Sequence, residues 1–144
     1  MRSLFLAILS LTVIGVACFV WSFFGTHKSL TTSDLDRKFS LSAKAPYGIL
    51  WGTGSAYALL HGEINGTAKV QVMGNHDRDR TDFIIGPGPV EIAQGGPEEW
   101  IGDYSIYYTP LTATSGTIYA SVYCGDGMSD SDRTLYREIL RRKK

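Results

Sequence analysis

The chain has 144 residues with 14 basic and 14 acidic side chains, so its formal net charge is zero. The charges are segregated, because residues 1–44 sum to +3, residues 45–132 to −8 and residues 133–144 to +5. An acidic body repels the phosphates of nucleic acids and of anionic lipids, which argues against both as ligands of the central region and leaves the basic end as a separate case.

The first predicted element is an apolar run from Ser3 to Phe24, 22 residues without a charge. A helix of that length, at about 1.5 Å per residue, crosses the ~30 Å hydrocarbon core of a bilayer. The run therefore predicts a transmembrane anchor over residues 1–24. Two alternatives stay open, a signal peptide cleaved after Ala17 and a lipid attached to Cys18.

Basic residues on the two flanks of the run bear on its orientation. Arg2 and the terminal amine precede it, and Lys28, Arg37 and Lys38 follow it, so the numbers of basic groups on the two sides nearly tie under the positive-inside rule. A very short basic start before an apolar run is typical of secretory signals. We therefore expect a cytoplasmic N-terminus, an extracytoplasmic domain and contact with membrane lipid through residues 3–24. Secretion of the chain is the alternative.

The segment after the run is polar and rich in Ser and Thr, which predicts a stalk over residues 25–45, with an edge strand or a short helix from Ser33. From residue 46 the pattern changes to short β-type runs separated by Gly, Pro and Asn. Strands are expected at 47–51, 56–63, 67–73, 82–85, 89–93, 104–109 and 117–124. The fold class is therefore mainly β, with a small antiparallel β-sandwich or barrel over residues 46–128.

Two hairpins are expected within this domain. A three-residue loop of Ile64, Asn65 and Gly66 pairs Leu60 with Val70, which keeps one face apolar and places Gly66 in a left-handed conformation. The second hairpin joins the last two strands through the loop at residues 110–116.

The chain is expected to end in a short basic helix and tail over residues 129–144. Ser129 or Asp130 caps it, and Leu135 and Ile139 fall four apart on one side. Four roles stay open for the basic end: it keeps the end of the helix soluble, binds an acidic partner, binds anionic lipid, or binds the acidic body of the same chain. Its candidate interaction residues are Arg137, Arg141 and Arg142.

Tyrosines supply the other candidate interaction residues. If Ile118 and its alternating neighbours face the core, Tyr119 and Tyr123 face away from it, and Tyr107 joins them across the hairpin. An exposed tyrosine stripe on a rigid sheet suits a protein or glycan partner. Cross-strand stacking, or cover by a second sheet or the stalk, is the structural alternative.

Two acidic clusters could supply the oxygen ligands of a cation site, but we interpret both as exposed loops. Neither completes a calcium loop, and no nucleophile–base pair or metal-ligand motif stands out, so we expect no cofactor, no metal and no catalysis. Cys124 is expected to be a small buried hydrophobe, and His61 a partly exposed strand residue. The two clusters are Asp77, Asp79 and Asp82, and Asp126, Asp130 and Asp132.

Together these features predict a single-pass, membrane-anchored β-domain that acts as a non-enzymatic interaction or accessory subunit of a membrane or envelope protein complex. One alternative is a secreted or anchored carbohydrate-binding module with Trp100 and the tyrosines as its platform. The other is a small metal-dependent hydrolase with its site in the acidic loops.

Overall fold

A computed structural model describes residues 12–14, 26–45, 54–74, 79–98, 103–125 and 128–143. Within these ranges the domain has a C-terminal helix preceded by eight strands, of which the last six are at the expected positions. They are β1 (His27–Thr32), β2 (Phe39–Ala43), β3 (Gly54–Ile64), β4 (Ala68–Gly74), β5 (Asp79–Ile85), β6 (Gly88–Glu98), β7 (Tyr104–Pro110), β8 (Gly116–Cys124) and α1 (Asp130–Arg142). The strand expected at 47–51 lies outside the described residues.

The strands form two antiparallel four-stranded sheets. Sheet A has the order β1-β8-β3-β6, and sheet B has the order β2-β7-β4-β5. Successive strands alternate between the two sheets for most of the chain, which is the strand order of a jelly roll. The expected antiparallel sandwich is therefore confirmed.

The core lies between the inner faces of the two sheets. On β4, Val70 and Val72 are at most 1% exposed, while Lys69 and Gln71 between them are half-buried on the outer side. On β8, Ile118, Ala120 and Val122 are completely buried, as the period of two predicts. Full burial of each branched aliphatic side chain contributes roughly 1.5–3 kcal/mol, so these rows hold the two sheets together.

Both expected hairpins are wrong. β3 pairs with β6 and β8, whereas β4 pairs with β5 and β7, so the chain crosses from one sheet to the other between them. β7 and β8 are separated in the same way. The inward-facing residues were assigned correctly, because alternation determines which face is apolar. It does not determine whether the next strand pairs within the same sheet or belongs to the opposite sheet.

The turn at Gly66 also differs from the expectation. Gly66 is buried and is not among the described glycines with positive φ. A Cβ at this position would lie 2.5 Å from the carbonyl oxygen of Thr112. A glycine is therefore needed here because two connections pass close to each other, and not because of a left-handed turn.

These two connections, residues 65–67 and 111–115, are joined by hydrogen bonds. The Thr67 carbonyl accepts the amides of three consecutive residues at 2.9–3.1 Å, those of Leu111, Thr112 and Ala113. The side-chain oxygen of Asn65 accepts the amides of Thr114 and Ser115, both at 2.9 Å, and its Nδ2 donates to the Thr114 hydroxyl at 2.9 Å. We call this end of the sandwich the distal end.

The segment expected to be a polar stalk, residues 25–45, instead supplies an edge strand to each sheet. β1 pairs with β8, and β2 pairs with β7. An edge strand needs only a few inward apolar residues, and here Leu41 and Ala43 provide them. Between the two strands, fully buried Leu35 accepts a hydrogen bond from the Tyr108 hydroxyl at 3.1 Å.

The predicted transmembrane anchor falls almost wholly outside the described residues. Of the apolar run at residues 3–24, the structure describes 12–14, which are helical and exposed. In the described ranges, no helix has the length and hydropathy that a membrane crossing requires.

Candidate functional site

Helix α1 covers the outer face of sheet A. Ser129 is its N-cap, and the Ser129 hydroxyl accepts the Asp132 amide at 3.2 Å, as the expected cap predicts. The buried side of the helix presents Tyr136 and Ile139 to Leu59 on β3, in a second hydrophobic cluster separate from the main core. The helix is thereby a structural part of the sandwich.

The carboxylate of Asp132 lies at the centre of this interface and is only 4% exposed. It accepts hydrogen bonds from three hydroxyls of β8: Tyr119 at 3.0 Å, Ser121 at 2.9 Å, and Tyr123. A buried carboxylate is costly unless its oxygens are hydrogen-bonded, and here they are. Asp132 therefore attaches the start of the helix to the central strand of sheet A.

His27 on the edge strand β1 extends this network. Its ring stacks on that of Tyr123 with centroids 4.1 Å apart, and its Nε2 lies 3.3 Å from the Ser121 hydroxyl. Because Ser121 has one hydroxyl proton and gives it to Asp132, Nε2 can take part only as a donor. Serine stands between histidine and aspartate, which is not the order of a catalytic triad, so we interpret the cluster as a structural network.

Burial raises the pKa of the Tyr123 hydroxyl, and its hydrogen bond to the Asp132 carboxylate raises that pKa further. Burial raises the pKa of Tyr119 in the same direction. A phenol next to a carboxylate resists ionisation, because the proton it donates stabilises the pair. Both hydroxyls therefore remain donors at neutral pH.

The three candidate tyrosines do not form one stripe. Tyr123 is completely buried and Tyr119 is half-buried beside α1, whereas Tyr107 lies on sheet B and is 39% exposed. The expectation that Tyr107 joins the other two is wrong, because β7 and β8 belong to different sheets. Of the three, Tyr107 is the most exposed, and no described helix lies over it.

Tyr107 lies in a cross-strand row on the outer face of sheet B. Ser40 lies beside it on β2, Gln71 on β4, and Asp82 is next to Gln71 on β5. No described helix covers this row, in contrast to sheet A. We call the outer side of sheet B, with these four residues and Lys69, the open face.

Asp82 is the anionic centre of the open face. Its carboxylate accepts Gln71 Nε2 at 3.0 Å, Arg80 Nε at 2.9 Å and Lys69 Nζ at 3.0 Å. The bonds from Arg80, Gln71 and Lys69 hold the pKa of this carboxyl well below its usual range. The open face is therefore a pre-arranged set of amide and charged groups around an exposed aromatic ring.

Of the two predicted acidic clusters, the structure describes the side chains of Asp82, Asp130 and Asp132. Asp82 is occupied by basic groups and Asp132 by hydroxyls, while Asp130 lies exposed in the first turn of α1. In the described ranges, no three His, Cys, Asp or Glu side chains are placed to hold a metal ion. Asp77, Asp126 and the side chain of Asp79 lie outside what the structure describes.

The basic residues of α1 divide into two groups. Arg142 pairs with Glu91 on β6 and lies 3.9 Å from Glu138, so this arginine meets the acidic body of its own chain. Arg137 and Arg141 are exposed, and no ion pair joins either to a carboxylate in the described part of the chain.

Two concavities lie on the side of sheet A. The larger, about 750 Å³, is an open groove at the distal end that includes His61, Glu63 and Tyr119. The smaller, about 370 Å³, lies at the other end, between α1 and the beginning of β3. Its lining residues are Ser55, Tyr57, Gly125, Met128, Arg133, Tyr136 and Arg137.

The structure bears on two expectations about single residues, Cys124 and His61. Cys124 is 1% exposed and its thiol lies 3.4 Å from the Ala43 carbonyl, which confirms it as a small buried residue. Burial raises the pKa of this thiol to about 11, so it is unreactive in the folded state. His61 is exposed on β3, as expected.

No protein-family model matches the chain, and no curated protein matches it. Among solved structures, a family 29 carbohydrate-binding module from Piromyces equi matches 71% of this chain and 76% of its own, with 18% identity and a TM-score of 0.36. A mutant of a second family 29 carbohydrate-binding module matches 75% and 80%, with 13% identity and a TM-score of 0.34. A family 36 module of a multidomain xylanase from the hindgut metagenome of Trinervitermes trinervoides matches 75% and 93%, with 13% identity and a TM-score of 0.35. At these scores the likeness carries no inference about what this chain binds.

Proposed function

We propose that this chain is a non-enzymatic, single-pass membrane protein whose jelly-roll domain is an interaction subunit of a membrane or envelope protein complex. Residues 3–24 anchor it in lipid with the N-terminus in the cytoplasm. The domain lies on the other side of the membrane and contacts its partner protein through the open face.

The observation that carries this proposal is the short distance along the chain between the apolar run and β1. The run ends at Phe24 and β1 begins at His27, so three residue steps, at most about 11 Å, separate them. Thr26 already belongs to the sandwich, since its carbonyl accepts the Cys124 amide at 3.0 Å and its hydroxyl accepts the Lys44 amide at 2.5 Å. An anchored domain of this kind is held close to the bilayer and cannot swing on a stalk.

The open face supports a protein partner. Its exposed tyrosine lies beside Gln71, and Lys69 and Asp82 follow on the same face; a tyrosine with polar neighbours is typical of recognition surfaces. On a domain held close to the bilayer, this face is presented to neighbouring membrane proteins.

The test uses the full chain in its native membrane, with a photo-crosslinking side chain at position 107. A matched control places the same group at position 140, because Leu140 is 38% exposed on α1 and therefore as accessible as Tyr107. We expect the protein to stay in the membrane pellet after alkaline carbonate extraction, and one discrete crosslinked product from position 107 only. Release by carbonate contradicts the anchor, and equal products from both positions contradict the open face.

A carbohydrate ligand is the second candidate. The row from Tyr107 through Gln71 to Asp82 combines an aromatic ring with an amide and a carboxylate, which are groups that can stack on a sugar and bind its hydroxyls. Trp100, expected as part of such a platform, lies outside the described residues. A glycan array separates this candidate from the first: binding that Tyr107→Ala abolishes supports it, and a silent array removes it. The metal-dependent hydrolase has less support, because Asp82 and Asp132 are both occupied by other groups.

A further inference from the structure

The smaller concavity lies at the end of the sandwich where β1 begins. Ser55 and Gly125, two of its lining residues, are joined by a backbone hydrogen bond of 2.7 Å. The residue before Gly125 is Cys124, whose amide bonds to the Thr26 carbonyl at 3.0 Å. The concavity and the start of β1 therefore share one end of the domain, which we call the tether end.

Two arginines of α1, Arg133 and Arg137, line this concavity one helical turn apart. Both are exposed, and in the described part of the chain neither forms an ion pair, in contrast to Arg142. Like charges four residues apart on a helix repel each other weakly, and an anion between the two guanidinium groups relieves that repulsion.

The rest of the concavity is aromatic and polar. The rings of Tyr57 and Tyr136 meet edge to face with centroids 5.1 Å apart, and the Tyr136 hydroxyl is held by the Gly95 carbonyl at 2.8 Å. These contacts fix one wall of the concavity. The guanidinium groups supply the planar, two-pronged donors that suit phosphate oxygens.

We propose that Arg133 and Arg137 bind a phosphate group at the tether end, and that its source is the headgroup of an anionic lipid next to the anchor. The lipid source rests on the proposed function, because the apolar run must be in the bilayer to bring headgroups to this end.

The experiment measures lipid binding by the full-length protein in neutral detergent micelles doped with phosphatidylglycerol. The double variant R133Q/R137Q removes the proposed site, and R141Q/K143Q is the matched control. Arg141 and Lys143 are exposed, their replacement removes the same number of charges at the end of the same helix, and neither lines the concavity. A basic residue near an anionic surface contributes about fivefold in affinity, so general attraction alone would weaken both variants equally, by about 25-fold. We expect R133Q/R137Q to bind about 25-fold more weakly and the control to lose no more than fivefold, with unchanged thermal midpoints for both.

Three other outcomes decide the source and the site. Equal binding by R133Q/R137Q and the wild type overturns the site. A loss by R141Q/K143Q as large as that of R133Q/R137Q overturns it too, because general attraction to negative charge then explains the binding. A second titration uses inorganic phosphate in undoped micelles, where the membrane position of the run has no effect. Phosphate binding that needs both arginines, without competition from phosphatidylglycerol, supports the site and overturns the lipid source. The site can therefore stand even if the proposed membrane function fails.

Discussion

Sheet A presents Tyr119, Ser121 and Tyr123 on its outer side, and sheet B presents Tyr107 and Gln71 on its own. The two sides have similar polar and aromatic side chains, yet α1 covers the first and leaves the second open. The difference is Asp132 on α1, whose carboxylate accepts hydrogen bonds from the three outward hydroxyls of sheet A. Polar aromatic rows on two sheets can therefore serve different purposes, one inside the structure and one available to a partner.

The largest expected effect is the loss of that carboxylate. Asp132→Ala leaves three hydroxyl donors without their acceptor beneath the helix, and each costs about 1–3 kcal/mol if it stays dry. Water will enter in part, so we expect the free energy of unfolding to fall by about 3–4 kcal/mol, measured by urea denaturation of the detergent-solubilised chain. Asp130→Ala, an exposed acid in the same helical turn, should cost under about 1 kcal/mol. Equal losses in the two variants would contradict the central role of Asp132.

An isoleucine on each side allows a direct comparison of the two faces. Ile139 is completely buried on the side of α1 that packs on sheet A, and Ile84 is 67% exposed on sheet B. Ile139→Ala creates a cavity and should lower the free energy of unfolding by about 2–3 kcal/mol. Ile84→Ala should change it by less than about 0.5 kcal/mol, as is usual for surface positions. Limited proteolysis at the arginines of α1 would show whether the first variant releases the helix; resistance equal to wild type would contradict a helix held by this contact.

A tyrosine hydroxyl can be removed from each of the two faces. Tyr123→Phe deletes a buried donor to a charged acceptor and should cost about 1.5 kcal/mol. Tyr107→Phe, on the open face, should leave the thermal midpoint unchanged. A shift of similar size in both variants would mean that the open face is also covered.

High pH should weaken the covered face by a smaller and gradual amount. The pKa values of Tyr119 and Tyr123 are raised in the folded state, chiefly by burial. Tyrosines in the unfolded chain ionise near pH 10, so the stability is complete below that pH and falls as the pH rises above it. Tyrosinate absorbance and urea midpoints followed together should show this slope, and the double variant Y119F/Y123F should have a shallower one. An unchanged slope would place the alkaline loss elsewhere, for example at Tyr108 or Tyr136, whose pKa values are also raised.

Much of the fold follows from the sequence because strand alternation is a local property. The inward residues of β3, β4 and β8 could be assigned from the period of two, and the helix from Ser129, Leu135 and Ile139. Strand pairing is not local. A short loop such as residues 65–67 connects adjacent strands or opposite sheets equally well, and only contacts with the distant residues 111–115 decide between them.

The covered network was missed for a related reason. Tyr119, Ser121 and Tyr123 place three hydroxyls on one side of β8, and Asp132 follows within a few residues in a predicted helix. Three hydroxyl donors on one side of a strand, followed by an acid at the start of a helix, indicate that the helix packs on that side with the acid as the acceptor. Charge pattern alone placed Asp132 in an exposed acidic loop instead. His27 carries no such signal, because it lies in a polar segment rich in Ser and Thr, which is typical of a stalk.

Asn65 at the distal end has a consequence for protein modification. Asn65, Gly66 and Thr67 form the acceptor sequon for N-linked glycans, and attachment takes place at Nδ2. In the folded domain, Nδ2 donates to Thr114 and the adjacent oxygen accepts two amides. An oligosaccharide attached before folding would prevent the hydrogen bonds that Asn65 makes between the two distal connections. After folding, the Asn65 side chain is already hydrogen-bonded and does not present Nδ2 for attachment. Synthesis of this chain in a eukaryotic secretory pathway should therefore lower its yield, and Thr67→Val, which destroys the sequon, should not restore it fully because the Thr67 hydroxyl bonds to Thr112.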